Sequence, residues 1–501
     1  MYVRIDSRSG LPLQQQIYES VRRAILAGVL TPGSRLPSSR TLAEDLKIAR
    51  MTAVLAYEQL AAEGYIRSRV GAGSFVNHEL PQLDAHTHKS ARADSPNHPP
   101  LSRRGLALSQ AERIITKLDG PPRAFRLGVP ALDRFPIKLW NTLVSRAMRH
   151  WSPAQLDYGD AGGLPALREA IALHVSRTRG TTCSAAQVIV VAGAQQGLEM
   201  IARLLLDPGD VACMEEPGYP AARAALISAG AVIEPVPVDP HGLVVELLEP
   251  HKRARLLYTT PSHQFPLGVQ MSLPRRLALL RWARESNAWI VEDDYDSEFR
   301  YQTRAAPSLH GLDPDGRVIY VGSFSKTLFP ALRLGYVIVP EDLHGQVVHA
   351  RRASDLHPPV PLQRVVAEWM DEGMFERHLR RMNTHHRERL ESLEEALRRY
   401  CRGVLELRPV ATGLHAVVDL HAGDAASVSR EALARGIEAM PLSRYYVRDR
   451  AESANALVLG FGCVPPRVIL ESVKRLAAVI EEETSPSRAS TLIAEARGAL
   501  R

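Results

Sequence analysis

The sequence predicts two folded regions: an N-terminal winged helix-turn-helix of the α+β class, and a larger α/β domain with a mostly parallel sheet and a smaller α+β lobe. Three observations lead to this prediction. Short helical patterns separated by turn residues fill positions 1–78. From about residue 125 onward, β-branched runs alternate with helical stretches, the order of parallel strands joined by crossover helices. After about residue 360 the pattern becomes helix-rich and then mixed, which predicts the smaller lobe.

Size and composition limit the class of protein. A chain of 501 residues exceeds one ordinary core, so two or more domains are expected. Its 45% hydrophobic and 23% charged residues are typical of a soluble globular protein. No apolar run of membrane-spanning length, no secretory h-region and no CxxC pair is present, so we expect a cytoplasmic protein without a membrane, zinc or disulfide framework. The formal charge of +7 permits nucleic-acid binding without demanding it.

Shifts in composition predict the domain boundaries. One stretch is rich in Pro, His, Ser and Ala, as flexible linkers are, although LALSQAERIITKL inside it has the pattern of a short helix. The predicted boundaries are 1–78 for the helix-turn-helix, 79–124 for the linker (with His86 and His88), 125–482 for the α/β domain and 483–501 for a tail, with the large lobe at about 150–360 and the small lobe at about 361–482.

The N-terminal pattern describes two short helices with a tight turn between them, followed by a hairpin. Ser38 or Ser39 can cap the first helix, since a side-chain oxygen there accepts a backbone N–H. The second helix begins with Arg50, Met51 and Thr52, where a recognition helix contacts base edges. IRSRVGAGSFV then gives two β runs around a pair of glycines, as in a wing. The residues predicted to contact DNA are Arg35, Ser38, Arg40, Arg50, Thr52, Arg69 and Gly71, with Arg67 as a further phosphate contact.

LPSSRTLAEDL, RMTAVLAYEQLAAEGYI and GAGSFV together resemble the winged helix-turn-helix of GntR-type regulators. Two positions depart from that pattern. Lys47 stands where the family usually has Gly, and Ala49 stands where it usually has Ser. An alanine side chain cannot cap a helix, a loss of about 1 kcal/mol. The alternative is a small helical cap with surface arginines, because residues 1–80 carry only ten Lys or Arg against seven Asp or Glu.

Three patterns of the α/β domain lie where the carboxyl ends of strands meet, the edge at which parallel sheets bind ligands. VIVVAGAQQGLEMIARLL is a strand, a turn of small residues and a helix whose free N–H groups at 194–196 suit a phosphate. WIVEDDYDSEFR runs a strand into acidic residues, Asp293 among them. VIYVGSFSKTLFPALRLGYV carries Lys326 at a strand end, with Ser323 and Arg333 nearby.

Each pattern alone also has a structural interpretation, as an ordinary βα loop, a solvated acidic loop or buried sheet. A metal site is the rival for the acidic stretch, but no histidine pair stands nearby at a useful spacing, so no metal is predicted. A lysine in such a pocket can form a Schiff base. Pyridoxal 5′-phosphate (PLP) needs this lysine, a carboxylate for its pyridine nitrogen and a phosphate cup. All three occur together, so PLP is the predicted cofactor.

DYGDAGGLPALREAIA, EEPGYPAARA, TTPSHQFPLG, EDDYDSEFRY and GSFSKTLFPALRLGY resemble the fold-type I PLP-dependent aminotransferases. The whole chain resembles the MocR-type regulators, which fuse a GntR-type domain to an aminotransferase-like domain. The resemblance implies that Lys326 forms the Schiff base, that Asp293 pairs with the pyridinium nitrogen, and that Arg444 binds an effector carboxylate. The other implied cofactor contacts are Tyr295 to the phenolic oxygen, Ser323, Arg333 and the backbone of Ala194 and Gln195 to the phosphate, Tyr219, and Tyr158 from the partner subunit.

Other positions depart from the family patterns or stay open. Phe265 replaces the asparagine with which aminotransferases contact the phenolic oxygen, so His263 or Gln264 is expected to compensate. Ala221 stands where GABA-responsive members carry an arginine, and Arg223 is one turn away, which argues against GABA as the effector. Two further predictions concern tyrosines and histidines: Tyr445 and Tyr446 as either core or pocket wall, and His385 with His386 as a solvated helix face.

The sequence therefore predicts a PLP-dependent, DNA-binding transcription regulator that senses PLP, an amine or an amino acid. We expect a head-to-tail homodimer acting on a promoter operator, without a membrane partner. The alternative is a catalytically active PLP-dependent aminotransferase, although transaminase activity is expected to be weak. A third hypothesis is a constitutive DNA-binding protein that uses an inactive aminotransferase fold only to dimerise.

Overall fold

A computed structural model describes residues 9–69, 72–80, 101–111, 120–149, 156–302, 306–448 and 455–485, and besides them Val3, Ile5, Asp6 and Pro153. The chain divides into two compact units, Met1–Pro100 and Leu101–Arg501. Of the helices in the described ranges, none has the length and apolarity to cross a bilayer. Among the predicted features, Gly71, His86 and His88 lie outside the described residues.

The N-terminal unit contains three helices and a two-stranded hairpin. They are α1 (Leu13–Leu26), α2 (Ser39–Leu46), α3 (Arg50–Ala62), β1 (Ile66–Arg69) and β2 (Gly73–Val76). The strands pair antiparallel with Ile66 opposite Val76. One apolar cluster, which includes Ile17, Leu42 and Leu60, is formed by the inner faces of all three helices and the hairpin. The predicted winged helix-turn-helix is confirmed.

The turn between α2 and α3 shows how the two unusual residues are accommodated. The hydroxyl of Ser38 accepts the N–H of Thr41 at 3.1 Å and so caps α2. Lys47 ends that helix with a φ of 53°, a left-handed conformation that glycine adopts more readily. Ala49 precedes α3 without a side-chain cap. The chain therefore builds the turn at some cost in local stability.

The second unit is organised by a sheet of eight strands. They are β3 (Val188–Val191), β4 (Val211–Glu216), β5 (Val232–Asp239), β6 (Gly242–Leu243), β7 (Leu256–Thr259), β8 (Trp289–Asp294), β9 (Val318–Ser323) and β10 (Gly335–Ile338). Their order across the sheet is β3-β10-β9-β8-β7-β4-β5-β6. The inner pairs from β9 to β5 are parallel, whereas β10 is antiparallel to both neighbours and β6 is antiparallel to β5. The mostly parallel sheet is confirmed, with β6 as a strand that the sequence did not indicate.

Helices cover both faces of this sheet, which explains why its central strands are apolar throughout. Those of the large lobe are α4 (Arg103–Ala111), α5 (Ile137–Arg149), α6 (Pro165–Arg179), α7 (Ala194–Leu205), α8 (Pro220–Ser228), α9 (Leu273–Ser286), α10 (Leu309–Leu312), α11 (Glu341–Asp355) and α12 (Val360–Asp371). Val365 and Trp369 of α12 are buried in the same cluster as Val188 and Tyr336 of the sheet. Phe375 still belongs to this cluster, so the change of lobe falls beyond residue 375, later than the boundary predicted near residue 361.

The small lobe is an antiparallel sheet packed against long helices. Its elements are α13 (Met374–Tyr400), β11 (Leu405–Leu407), β12 (His415–Leu420), α14 (Ala425–Ala434), β13 (Met440–Pro441), β14 (Ala456–Gly460) and α15 (Pro466–Thr484), with strand order β11-β12-β14-β13. Ala124 and Phe125 join its core, and Phe125 bridges to Gly460. The segment around Phe125 therefore packs with the small lobe although it precedes the large lobe in sequence. The predicted α+β character is confirmed.

Two details differ from the sequence-based expectation. Helix α4 lies inside the predicted linker, and Arg104 donates to the carbonyl of Ser228 at 3.3 Å, so at least this part packs on the large lobe. His386, predicted to be solvated, is buried and accepts the N–H of Ala131 at 3.2 Å. Burial lowers the pKa of His386 to about 3. Adjacent residues of a helix point in different directions, so His385 can face water while His386 faces the core.

The cap of α2 can be tested by substitution. Ser38→Ala removes the acceptor for the N–H of Thr41 and should destabilise α2 by about 1 kcal/mol. Ser38→Asp keeps an acceptor and should retain most of this stability. Hydrogen exchange of the α2 amides in the full chain measures the difference. Equal protection in both variants would contradict a capping role.

Candidate cofactor site and DNA-binding surface

The end of β8 carries three consecutive buried acids whose side chains alternate between two faces. Glu292 accepts the backbone N–H groups of Leu309 and His310 at 2.9 Å each. Asp294 pairs with Arg179, whose Nε lies 2.6 Å from its Oδ2. Burial alone would raise the pKa of Asp294, but Arg179 together with the hydrogen bonds from Ser297 and Tyr320 holds that pKa below its usual range. These two acids are engaged in structure, while the middle one points the other way.

Asp293, the middle acid, is incompletely satisfied. Its Oδ2 accepts the hydroxyl of Tyr258 at 2.8 Å, whereas its Oδ1 is buried and has no hydrogen-bond partner. Burial raises the pKa of Asp293 to about 7, although the bond from Tyr258 and the nearby Lys326 oppose the shift. A buried acceptor without a donor costs free energy unless a ligand supplies one.

Lys326 follows β9 at the same edge of the sheet. Its ammonium donates to the carbonyl of Gly128 at 2.7 Å. Burial lowers the pKa of Lys326, and the carboxylates of Asp296 and Asp293 only partly oppose this. A depressed pKa increases the fraction of neutral amine, the form that attacks a carbonyl.

The start of α7 and Arg333 form the part of the candidate site that is expected to bind the phosphate. Gly193 precedes the helix with a φ of 84°, and a Cβ there would lie 3.2 Å from the guanidinium of Arg333. Arg333 donates to the carbonyl of Ala192 at 2.8 Å. The first N–H groups of α7, those of Ala194 and Gln195, have no carbonyl within the helix. Ser323 ends β9 beside this region and accepts the N–H of Ser325 at 3.1 Å.

Aromatic rings form a wall around these polar groups. Phe265 contacts Tyr219 and Tyr445 edge-on, with ring centroids 5.3 and 5.2 Å apart respectively, and lies 6.1 Å from Tyr295. Tyr219 also lies near charge: burial raises its pKa to about 12, Asp293 adds to this rise and Arg333 opposes it. Tyr445, for which core and pocket wall were both open, is buried and packs on this wall.

The side chains present fit PLP. The partnerless Oδ1 of Asp293 is an acceptor suited to the pyridinium N–H, and Lys326 is an amine with a lowered pKa beside it. Gly193, with its positive φ, brings the backbone close to Arg333 at the start of α7, which suits a phosphate held by backbone N–H groups.

Two predicted site residues lie outside this group in one protomer. Tyr158 is 78% exposed, with its ring near that of His357. Arg444 is exposed on a short 3-10 helix (Leu442–Tyr445). Its charge, together with burial, lowers the pKa of Arg223, which donates to the carbonyl of Tyr446 at 3.2 Å. The two arginines therefore form one cationic region.

The predicted DNA contacts in the described part of the N-terminal unit lie at its surface. Arg35, Arg50 and Arg69 are exposed, and Thr52 is half-buried at the start of α3. Arg40 pairs with Glu44 at 3.1 Å, and both side chains are largely exposed, so this pair is worth little and can open. Gly73 of the hairpin lies against Arg35, since a Cβ there would lie 3.4 Å from its side chain.

Sequence reasoning missed several residues around the site. Tyr258, Gly128 and Asp296 each contact or influence a predicted site residue. A signal existed only for Asp296, which belongs to the acidic stretch already noted. Tyr258 occupies an apolar strand pattern, and Gly128 acts through its carbonyl, which no side-chain pattern reveals.

Comparisons with known proteins bear on both units. Residues 13–76 match the family described as bacterial regulatory proteins, gntR family, and residues 143–454 match aminotransferase class I and II. The probable rhizopine catabolism regulatory protein MocR of Rhizobium meliloti is 37% identical to this chain, covering 94% of each. The chain belongs to the MocR-type family of transcription regulators.

Further relatives of this MocR-type regulator agree with that assignment. The pyridoxine biosynthesis transcriptional regulator PdxR of Corynebacterium glutamicum is 34% identical, covering 89% of this chain and 91% of the relative. The solved kynurenine aminotransferase of Pyrococcus horikoshii is 28% identical with a TM-score of 0.67, covering 77% of this chain and 96% of that chain. DNA binding by the N-terminal unit and a fold-type I aminotransferase architecture are thereby confirmed, and the family implies PLP as the cofactor.

The raised pKa of Asp293 predicts a pH-dependent stability of the cofactor-free regulator. Between the ordinary value of 3.8 and about 7, the folded state binds the proton more tightly than the unfolded chain, so stability falls as pH rises through this window. Asp293→Asn cannot ionise. Relative to wild type it should gain stability above pH 7, by on the order of 4 kcal/mol at most, and little near pH 4.

Thermal unfolding of both proteins at several pH values measures this difference. Asp294→Asn is the matched control, because it leaves Arg179 buried without its carboxylate and should lose stability at pH 8. A gain for Asp293→Asn that does not depend on pH would contradict the assigned pKa.

Proposed function

We propose that this MocR-type regulator binds PLP covalently through Lys326, and that the state of the bound cofactor controls its action on DNA. The observation that carries the proposal is the partnerless buried Oδ1 of Asp293 beside a lysine whose pKa is lowered by burial. A purely structural pair of such groups would form an ion pair with each other; instead, Lys326 donates to the carbonyl of Gly128.

PLP supplies an aldehyde that condenses with amines and a ring that withdraws electrons. The protein's own groups hold it in place. Asp293 accepts the pyridinium N–H, and the hydroxyl of Tyr258 orients that carboxylate from the other side. Arg333, Ser323 and the first N–H groups of α7 would bind the phosphate, while Tyr295 would donate to the phenolic oxygen once its hydroxyl turns away from the carbonyl of His263.

The sensed molecule is PLP itself or an amine that displaces Lys326. In the second case Lys326 would be the group that gives up its attachment to the cofactor and takes back a free amine. Arg444 then binds an anionic group of that compound. Such a ligand changes the protein's conformation only in proportion to its different affinities for the two states.

The effector is not GABA in this proposal, because Ala221 supplies no guanidinium at the position where an arginine would be needed. Arg223 lies two residues further along α8 and donates to the carbonyl of Tyr446, directly after the 3-10 helix that carries Arg444. Glu216 also acts on Arg223, so Arg444 is the group proposed to bind an anionic ligand.

The active unit in this proposal is a head-to-tail homodimer. Tyr158 is 78% exposed in one protomer, which makes its hydroxyl available to the phosphate site of a second copy. A two-fold dimer carries two helix-turn-helix units, which suits an operator with paired half-sites.

A second candidate function is transamination. Lys326, Asp293 and Tyr295 are retained, and these groups also serve a catalytic site. Phe265 in place of the usual asparagine weighs against rapid turnover. Stoichiometric conversion of an amino donor without repeated cycles supports the sensor, whereas steady turnover with a keto acid supports the enzyme.

Lys326→Ala tests the cofactor assignment. The wild-type protein with PLP should show a visible absorption band at about 420 nm that remains after gel filtration. Lys326→Ala should not retain this band. Lys252→Ala is the control, since this lysine is 51% exposed and pairs with a neighbouring glutamate. Binding to the promoter fragment, with and without PLP, is measured on the same three proteins.

Two outcomes would contradict parts of the proposal. An unchanged band in Lys326→Ala would exclude that lysine as the attachment point. DNA binding that is identical with and without PLP or any amine would exclude the cofactor as the signal and support the constitutive DNA-binding alternative.

A further inference from the structure

A buried pair, His263 and Asp296, lies beside Tyr295. The Nδ1 of His263 is 2.8 Å from Oδ1 of Asp296, and each side chain is only 2% exposed. The hydroxyl of Tyr295 donates to the carbonyl of His263 at 2.9 Å and lies 3.1 Å from its Nδ1. This pair therefore borders the hydroxyl assigned to the phenolic oxygen.

His263 and Gln264 are the two candidates to replace the asparagine whose position Phe265 occupies. The contacts of Gln264 decide between them. The amide nitrogen of Gln264 donates to the carbonyls of Pro217 and Phe265, at 2.8 and 2.7 Å. Its amide oxygen accepts the N–H of Leu267. Gln264 is thus engaged in holding its own loop, and His263 alone of the two contacts Tyr295.

The small lobe closes on the same pair. Oδ2 of Asp296 accepts the N–H of Leu414 at 3.2 Å. Gly413 has a φ of +80°, and a Cβ there would lie 1.9 Å from Cε1 of His263. The ring of His415 lies 4.6 Å from that of His263. The backbone leading into β12 therefore fits against His263 with no space for a side chain.

A second contact from the small lobe reaches the lysine. Gly128, whose carbonyl accepts from Lys326, follows Phe125, which is part of the small-lobe core. The ion pair between Arg126 and Glu438, at 2.6 Å and almost fully buried, anchors this segment to the small lobe. Lys326 and His263 thus each contact backbone that packs with the small lobe.

We propose that the His263–Asp296 pair is a positioning device that couples the cofactor site to the small lobe. It holds the Tyr295 hydroxyl on one side and the backbone of Gly413 and Leu414 on the other. A displacement of the small lobe removes the Leu414 contact and frees His263 to rotate, and a change at the cofactor acts in reverse. The proposal rests on the proposed function, in which Tyr295 contacts the cofactor.

The charged groups around the His263–Asp296 pair decide whether loss of the pair raises or lowers the pH midpoint of the visible band. The titratable groups that interact with it are Asp293, Tyr295 and Lys326 from the cofactor site, Tyr301, and His415 from the small lobe. Burial lowers the pKa of His415 well below its usual value, so it stays neutral. Loss of His263 removes the hydrogen bond to the Asp296 carboxylate, which then acts more strongly on Lys326 and favours a protonated nitrogen there.

A metal ion is the competing explanation for this cluster. His263, Asp296 and His415 offer ligand atoms within 4.8 Å of one another. The described hydrogen bonds already use several of these atoms, since Nε2 of His415 lies 3.0 Å from the carbonyl of Pro266. A zinc titration therefore belongs to the test.

Gly413→Ala tests the coupling from the small-lobe side. The added Cβ must displace His263, so PLP affinity should fall by about tenfold and the pH midpoint of the visible band should rise by about one unit. Gly436→Ala is the matched control, because its φ of +77° carries the same backbone strain and its Cβ would meet nothing within 4 Å. The melting temperatures of wild type, Gly413→Ala and Gly436→Ala without PLP measure the backbone strain that the two variants share.

His263→Gln tests the same coupling without backbone strain and serves if Gly413→Ala does not fold. It should raise the pH midpoint in the same direction, and the double variant should change it no further, because both act on one contact. Additive shifts, or a Gly413→Ala that behaves like Gly436→Ala, would overturn the coupling while wild-type PLP binding stands. Wild type that binds no PLP would instead overturn the proposed function. Zinc that raises the melting temperature of wild type but not of His263→Gln would make the cluster a metal site and overturn the coupling.

Discussion

The burial of three consecutive carboxylates at the end of β8 is the constraint on which the second unit depends. A buried charge requires a partner or gives up its charge. Arg179 satisfies Asp294, and the backbone at Leu309 and His310 satisfies Glu292. The geometry of the strand then leaves the middle acid facing the other way. The two flanking pairs tie β8 to its covering helices, and so hold Asp293 rigidly with one oxygen free.

The same edge of the sheet collects groups from distant parts of the chain. Lys326 follows β9, Arg333 precedes β10, and the N-terminus of α7 follows β3, which pairs with β10. Crossover connections in a mostly parallel sheet bring loops to one edge, so residues far apart in sequence become neighbours. The small lobe then completes the site with backbone atoms, at Gly128 and at Gly413. The polar groups of the site therefore belong to the sheet of the large lobe, whereas the backbone that covers them belongs to the small lobe.

Much of the fold could be predicted because its signals are local. Apolar runs bounded by turns located seven strands of the central sheet, and the spacing of Lys326 from Asp293 placed both at strand ends. Side chains alternate between the two faces along β8, so this pattern would also have distinguished Asp293 from Glu292 and Asp294 as the site residue. A helical pattern overlapping α4 was visible, but the packing of α4 on the large lobe and the burial of His386 could not be found in this way, since both depend on which distant surface covers them. The lobe boundary was misplaced for the same reason: α12 is amphipathic like its successor, and only packing shows which core it joins.

The sequence by itself determined the two-part architecture, the family and the chemical groups of the candidate site, because periodicity, turn residues and motif order are properties of neighbouring positions. Only the tertiary structure decided which of those groups remain unsatisfied. Tyr258 reaches Asp293 across adjacent strands, and the small-lobe backbone fits against His263 without leaving room for a Cβ. Such contacts depend on distances between segments far apart in the chain, and a linear pattern of residues does not contain those distances.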